Sequence, residues 1–143
     1  PGQPCTIAQK IAFGTPGGAG CTQDLSGQPT QYSSKWTGVL SVDYRQPIAE
    51  FMELGGGMTL VARSKYNAST NNEPLQEQSG FAKIDGHLDL RLDDGRFTFT
   101  VYGKNLTDKR TLEFGSLSPF TGDALSGVYT LGREMGIRLG FNF

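Results

Sequence analysis

The sequence has no long hydrophobic run, no excess of one charge, two cysteines and a single histidine. No apolar stretch reaches the length of a membrane-spanning helix. This excludes a helical membrane protein and leaves open a β-barrel, whose strands are short and alternate in polarity. The formal net charge of −1 indicates no nucleic-acid partner. Because His87 is far from both cysteines in sequence, no zinc site is expected.

The chain also lacks an initiator methionine and a signal peptide, since it begins at Pro1. We therefore expect a processed or excised piece of a longer protein. Glycine, by contrast, is abundant at 20 residues, and aromatic residues make up 10 % of the chain. This mixture favours strands and turns over helices.

Apolar and polar residues alternate most regularly in Met135–Phe143 and in Ala82–Leu92. Alternation with a period of two predicts strands with one apolar and one polar face, and it disfavours a helix. In the second segment the polar row is entirely ionisable and consists of Lys83, Asp85, His87, Asp89 and Arg91. Weaker alternation predicts three more strands, so that the five predicted strands are residues 35–46, 51–66, 81–92, 96–107 and 131–143.

Short and long connections alternate between these predicted strands. Gln46–Glu50 and Asp93–Gly95 are short, and the second is a strong hairpin-turn signal. The connections around residues 67–80 and 108–130 are long and polar. Outer-membrane barrels have this pattern, with tight periplasmic turns and long outer loops. If the chain ends in the periplasm, residues 1–34 form a further outer loop.

The apolar rows face lipid in a membrane barrel and face the core in a soluble barrel. Their repetition on every strand, with aromatic residues near the strand ends, favours the membrane. Single-chain membrane barrels need at least about 8 strands, and five strands leave two open edges. We therefore predict an all-β fold: five strands of an antiparallel, up-and-down transmembrane β-barrel, as part of a larger barrel. A complete soluble β-domain is the alternative.

The segment Tyr102–Arg110 reads Tyr-Gly-Lys-Asn-Leu-Thr-Asp-Lys-Arg. It resembles the Asn-Leu-[Phe/Thr]-Asp element near the C-terminus of TonB-dependent outer-membrane receptors. Residues 133–143 look like the last strand of that family, and Trp36-Thr37-Gly38 is similar to its entry into an earlier strand. Ser33-Ser34-Lys35 stands where the family usually has a proline. The resemblance covers nearly the whole chain after about Cys21.

The resemblance implies a barrel of about 22 strands in the bacterial outer membrane, occluded by an N-terminal plug that this chain does not contain. Residues 35–143 then supply the last five strands. The family takes up scarce substrates, typically iron-siderophore complexes, haem, cobalamin or glycans, using energy from the TonB complex acting through the plug. In this family a terminal aromatic residue, here Phe143, belongs to the signal that the barrel-assembly machinery reads. The alternatives are a plug-free porin-type barrel and a soluble β-domain that binds a small apolar ligand or a sugar.

The candidate site residues follow from these expectations. We expect Asn105, Leu106 and Asp108 to have a structural role, with Asn105 and Asp108 organising the end of a strand. The charged row on residues 83–91 is expected to line the lumen and to contact the plug or a substrate. Three aromatic residues of the long outer loop are candidates for ligand contact, with packing of the loop against its neighbours as the alternative: Phe114, Phe120 and Tyr129.

Two further features concern structure more than chemistry. Cys5 and Cys21 are a disulfide candidate in an oxidising compartment, with two separate thiols as the alternative. Gly55-Gly56-Gly57 lacks the Lys-Ser/Thr of a phosphate-binding loop, so we interpret it as relief of crowding or as room for the plug. No spacing indicates a catalytic triad, a metal site or a bound cofactor, and the chain is not expected to be an enzyme.

Overall fold

The computed structural model describes residues 3–14, 19–118 and 124–143. It is mostly β-structure, with 55 % of residues in strands and 8 % in helix. All its sheets are antiparallel, so the prediction of an all-β fold is confirmed. No helix in this part of the chain is long and apolar enough to cross a membrane.

The elements follow one another along the chain in this order: β1 (Gln3–Pro4), α1 (Ile7–Phe13), β2 (Thr22–Gln23), β3 (Thr37–Ala49), β4 (Met52–Arg63), β5 (Tyr66–Asn67), a 3-10 helix (Pro74–Gln76), β6 (Glu77–Gln78), β7 (Phe81–Leu92), β8 (Phe97–Lys104), β9 (Leu112–Leu117), β10 (Leu125–Tyr129) and β11 (Glu134–Phe141). They form two compact units. The loop unit comprises Pro1–Trp36, Ser64–Gly80 and Arg110–Thr130. The sheet unit comprises Thr37–Arg63, Phe81–Lys109 and Leu131–Phe143.

The sheet unit is a five-stranded antiparallel meander with the order β3-β4-β7-β8-β11. Each strand pairs with the strands before and after it in this series, as an up-and-down arrangement requires. Within the described residues β3 and β11 do not pair with each other, so the sheet is open and does not close into a barrel.

Except for β7, the observed strands begin and end one to three residues away from the predicted bounds, and β11 spans Glu134–Phe141 instead of 131–143. β3 continues through Pro47 to Ala49, because the proline lies beside a register irregularity where a missing N–H is tolerated. β4 ends at Arg63, three residues earlier than predicted. β8 ends at Lys104, because Asn105 turns the chain with a φ of 49°.

The apolar rows of the five strands lie on one face of the sheet, because the strands pair in a register that aligns them. Tyr44, Gly56, Leu88, Val101 and Ile137 lie side by side in one such row. The next row toward the β3–β4 turn contains Gln46, Leu54, Leu90, Phe99 and Leu139. The opposite face, which we call the polar face, carries most of the charged residues of the strands.

Hydrogen bonds tie together the three segments of the loop unit. The buried carboxylate of Glu73 accepts from the backbone N–H of Ile7 at 2.8 Å, at the start of α1. The Tyr66 hydroxyl donates to the carbonyl of Leu112 at 2.7 Å, and Gln76 Nε2 donates to the carbonyl of Ser126 at 2.9 Å. The buried residues of this unit are therefore largely polar.

The long connections contain secondary structure that the sequence analysis did not predict. Residues 1–34 contain α1, and the connection after β8 contains the β9–β10 hairpin. A capping box starts α1, because the Thr6 hydroxyl accepts from the N–H of Gln9 while the Gln9 side chain accepts from the N–H of Thr6. Cys5 and Cys21 form a disulfide that joins the residues before α1 to those that follow it.

Candidate functional site

A charged cluster on the polar face centres on Asp89. Its side chain is only 8 % exposed, although it carries a carboxylate. Three basic groups surround it: Arg91 Nε at 3.5 Å, His87 Nε2 at 3.5 Å and Arg45 Nη2 at 3.9 Å. Asp89 Oδ2 and Arg91 Nε are nevertheless buried without a hydrogen bond. The cluster therefore has more basic groups than acidic ones around Asp89, and its two buried atoms face each other at ion-pair distance without a hydrogen bond.

Three successive glycines on β4 make room for this arrangement. A Cβ at Gly55 would lie 2.7 Å from Asp89 Oδ2, and a Cβ at Gly57 would collide with Asp43 and lie 2.5 Å from His87 Cε1. On the apolar face, a Cβ at Gly56 would lie 2.8 Å from the Leu88 side chain. Each glycine thus receives a large side chain from a neighbouring strand, which supports the interpretation that these glycines relieve crowding.

Other members of the predicted charged row have different surroundings. Asp85 accepts from the backbone N–H of Asn105 at 2.7 Å, so this carboxylate fixes a strand end. Lys83 Nζ lies 5.3 Å from the centre of the Phe81 ring in a cation–π contact. The row therefore divides into a cluster around Asp89 and two residues with local structural contacts.

A concavity of about 590 Å³ covers the polar face around this cluster. Tyr102 and Arg138 line it on the β11 side, where the Arg138 guanidinium carbon lies 5.6 Å from the Tyr102 ring centre. Tyr102 covers Gly136, where a Cβ would meet the hydroxyl at 2.6 Å. Both charge signs and hydroxyl groups line the concavity, so it suits a polar, hydrogen-bonding occupant. Among the described residues no group of three His, Cys, Asp or Glu side chains could hold a metal ion.

The Asn-Leu-Thr-Asp element forms a rigid turn after β8. The buried Asn105 side chain donates to the carbonyls of Lys109 at 3.0 Å and Leu131 at 3.1 Å, and it accepts from the N–H of Lys109 at 3.0 Å. Asp108 accepts from the N–H of Arg133 at 2.8 Å. Both have a φ near +50°, which asparagine and aspartate tolerate better than most residues. These contacts are the side-chain-to-backbone bonds expected from the sequence.

The loop aromatics do not form one cluster in the described residues. Phe114 stacks on Tyr32 with 6.3 Å between ring centres, and Tyr129 is exposed on β10. Phe120 lies outside the residues that the structure describes. Tyr32 was not predicted as a partner, because its position in sequence gives no sign of contact with β9. Phe143, the predicted assembly signal, is fully exposed after β11.

The ion pairs of Asp89 give a testable stability difference. We expect Asp89→Asn to lower the free energy of unfolding by about 1–2 kcal/mol, because Arg45 and Arg91 lose their charged partner. The loss stays this small because both arginines remain partly solvated. Asp93→Asn is the control: its ion pair with Arg96 is exposed, so a loss below about 0.5 kcal/mol is expected. Urea unfolding of the native protein measures both, and equal effects would show that the Asp89 cluster adds no more stability than an exposed ion pair.

Sequence reasoning missed Arg45, the partner that Asp89 reaches across β4. The only signal was that Arg45 lies two residues after Asp43 and so on the same polar side of β3. The side of a strand on which a residue lies does not give its register against other strands. Comparisons of the chain with protein-family models, with curated proteins and with solved structures find no match.

Proposed function

We propose that this chain supplies five consecutive strands of a bacterial outer-membrane β-barrel of the TonB-dependent receptor type, which takes up a scarce substrate such as an iron-siderophore complex. The observation that carries the proposal is the exposed apolar face of the sheet. On this face thirteen large side chains are between 41 % and 70 % exposed: Leu40, Val42, Tyr44, Leu54, Met58, Leu88, Phe97, Phe99, Val101, Met135, Ile137, Leu139 and Phe141.

The burial of apolar residues is inverted relative to a soluble β-domain. Among the described residues the buried apolar ones are Cys5, Tyr66, Ala68 and Leu112, and all four lie in the loop unit. A soluble sheet would cover its apolar face with a second layer of protein. A contiguous apolar face without such a layer is typical of a surface that meets lipid or another chain.

The height of the apolar face fits a bilayer. Met52 and Ala62 are both on this face, ten positions apart on β4. At about 3.3 Å per residue they are separated by roughly 33 Å along the strand. A strand tilt of about 40° reduces this to roughly 25 Å along a barrel axis, the height of the apolar band in outer-membrane barrels. Phe97 and Phe141 pack edge to face at one end, where a barrel has an aromatic girdle.

The polar face and the open edges support the same proposal. The lumen of a large barrel is polar and holds water or protein, and charged side chains of both signs and hydroxyl groups line the concavity around Asp89, where such an occupant can contact them. The edges at β3 and β11 leave backbone groups that need further strands within a membrane. A plug-free porin-type barrel would share both features.

An uptake experiment separates the receptor from the plug-free barrel. Uptake of radioactively labelled ferric chelates is measured in cells with and without the gene, each with and without a protonophore. We expect uptake that requires the gene and is abolished by the protonophore, since import by this family depends on energy coupling. Gene-dependent uptake that resists the protonophore would favour a plug-free barrel. Uptake that never depends on the gene would overturn the assignment to iron chelates.

A further inference from the structure

The turn after β8 fixes two cationic residues at one corner of the sheet. Both backbone polar groups of Lys109 bond to the Asn105 side chain, and the N–H of Arg133 bonds to Asp108. Asn105 also holds the carbonyl of Leu131, so one side chain joins the two backbone segments. Lys109 and Arg133 are therefore held close together by the backbone while both residues remain exposed.

Exposed apolar side chains lie at the same corner. Leu106 covers Gly103, where a Cβ would lie 2.5 Å from the leucine side chain, and it also reaches Gly86 on the apolar face. Met135 pairs with Gly103 in the adjacent position and is 70 % exposed. Leu131 precedes it and is 74 % exposed. The corner thus joins two cations to the end of the apolar face.

The charges of the sheet unit are distributed unevenly between its two ends. The end with this corner carries five cations, namely Arg63, Lys83, Lys104, Lys109 and Arg133, and three acidic residues, namely Asp85, Asp108 and Glu134. Two of those acids already accept backbone hydrogen bonds. The opposite end carries four acidic residues, namely Glu50, Glu53, Asp93 and Asp94, against Arg91 and Arg96. Arg63, Lys83 and Lys104 lie on the polar face, so Lys109 and Arg133 are the two cations that belong to the corner itself. The net charge makes the first end the more favourable one for an anionic group.

We propose that this corner, defined by Leu106, Lys109, Leu131, Arg133 and Met135, binds the phosphate headgroup of an anionic membrane lipid. The two cations meet the phosphate, and the three apolar side chains lie along the start of an acyl chain. The inference rests on the proposed function, because it needs the apolar face to be in a bilayer. Charge complementarity selects an anionic lipid over a zwitterionic one.

Lipid retention by the native protein that carries this chain tests the inference. The protein is purified in detergent, and native mass spectrometry measures binding of phosphatidylglycerol and of phosphatidylcholine with the same acyl chains. We expect phosphatidylglycerol to bind more tightly to the wild type. We expect roughly a fivefold weakening in Arg133→Gln and roughly a thirtyfold weakening when Lys109→Gln is added. Arg96→Gln, the same change at the opposite end, leaves the affinity unchanged.

The outcomes distinguish this inference from the proposed function. Equal affinity for the two lipids, or equal weakening in Arg133→Gln and Arg96→Gln, overturns the headgroup site and leaves the barrel intact. Displacement of phosphatidylglycerol by the same concentration of glycerol phosphate also overturns it, because the apolar residues would then add nothing. A protein that stays in solution without detergent and binds neither lipid overturns both the site and the membrane barrel.

Discussion

Val42→Arg should destabilise the protein by about 2–4 kcal/mol if the apolar face meets lipid as proposed, because that is the cost of arginine on the lipid side near the middle of a barrel wall. Val42 is 57 % exposed on the apolar face and lies opposite Met58. A loss of this size should reduce the assembled fraction about tenfold or more. The measurement is the amount of heat-modifiable, folded protein in the outer-membrane fraction.

Ser41→Arg is a matched control, because it puts the same side chain one residue away on the polar face. Ser41 is exposed and shares one hydrogen bond with Thr59 at 3.0 Å. Asp43 lies two residues along on the same face, so the new charge has an acidic neighbour, and near-normal assembly is expected. Equal assembly of the two variants would contradict lipid contact on the apolar face.

Asn105→Ala should lower the free energy of unfolding by about 4 kcal/mol. The change removes three hydrogen bonds at or below 3.1 Å, each worth about 1 kcal/mol net. It also puts alanine at a φ of 49°, which costs roughly a further 1 kcal/mol. Urea unfolding of the native protein in lipid vesicles measures the sum.

Asp94→Ala separates the backbone cost from the hydrogen bonds. Asp94 has a φ of 52° in an exposed turn of the same unit. Asp94→Ala should therefore lower the free energy of unfolding by about 1 kcal/mol, mainly the cost of a positive φ for alanine. The difference between the two variants then gives the hydrogen-bond contribution of Asn105. If Asn105→Ala costs no more than Asp94→Ala, the turn does not depend on its side chain.

The five strands of the sheet could be predicted from the sequence, because the alternation of apolar and polar residues agrees there with the turn signals. The Asp93-Asp94-Gly95 turn has positive φ at all three residues and fixes the register of β7 against β8. With that register, parity alone assigns residues such as Leu88 and Asp89 to opposite faces. The end of β8 was harder to predict, because the alternation of apolar and polar residues continues past Lys104 while Asn105 already turns the backbone.

The loop unit was much less predictable, because long-range polar contacts stabilise it. α1 has seven residues, too few for a clear periodicity, and its first turn is held by Glu73, which lies 66 positions later. The capping box formed by Thr6 and Gln9 was the one local signal for this helix. The Asp89 cluster could be predicted only in part. Its row of charged residues was predicted from the sequence, but the contact with Arg45 depends on Gly55 of β4 lying between β3 and β7.

The sheet is proposed to be part of a large membrane barrel. The most direct test is the intact mass of the native protein in a detergent extract of the outer membrane, identified by a peptide that covers residues 105–143. We expect a mass several-fold above the 15.5 kDa of this chain, with further strands in the additional sequence. A protein of about 15.5 kDa in a detergent-free soluble fraction would contradict it, and the apolar face would then need a protein partner instead of lipid.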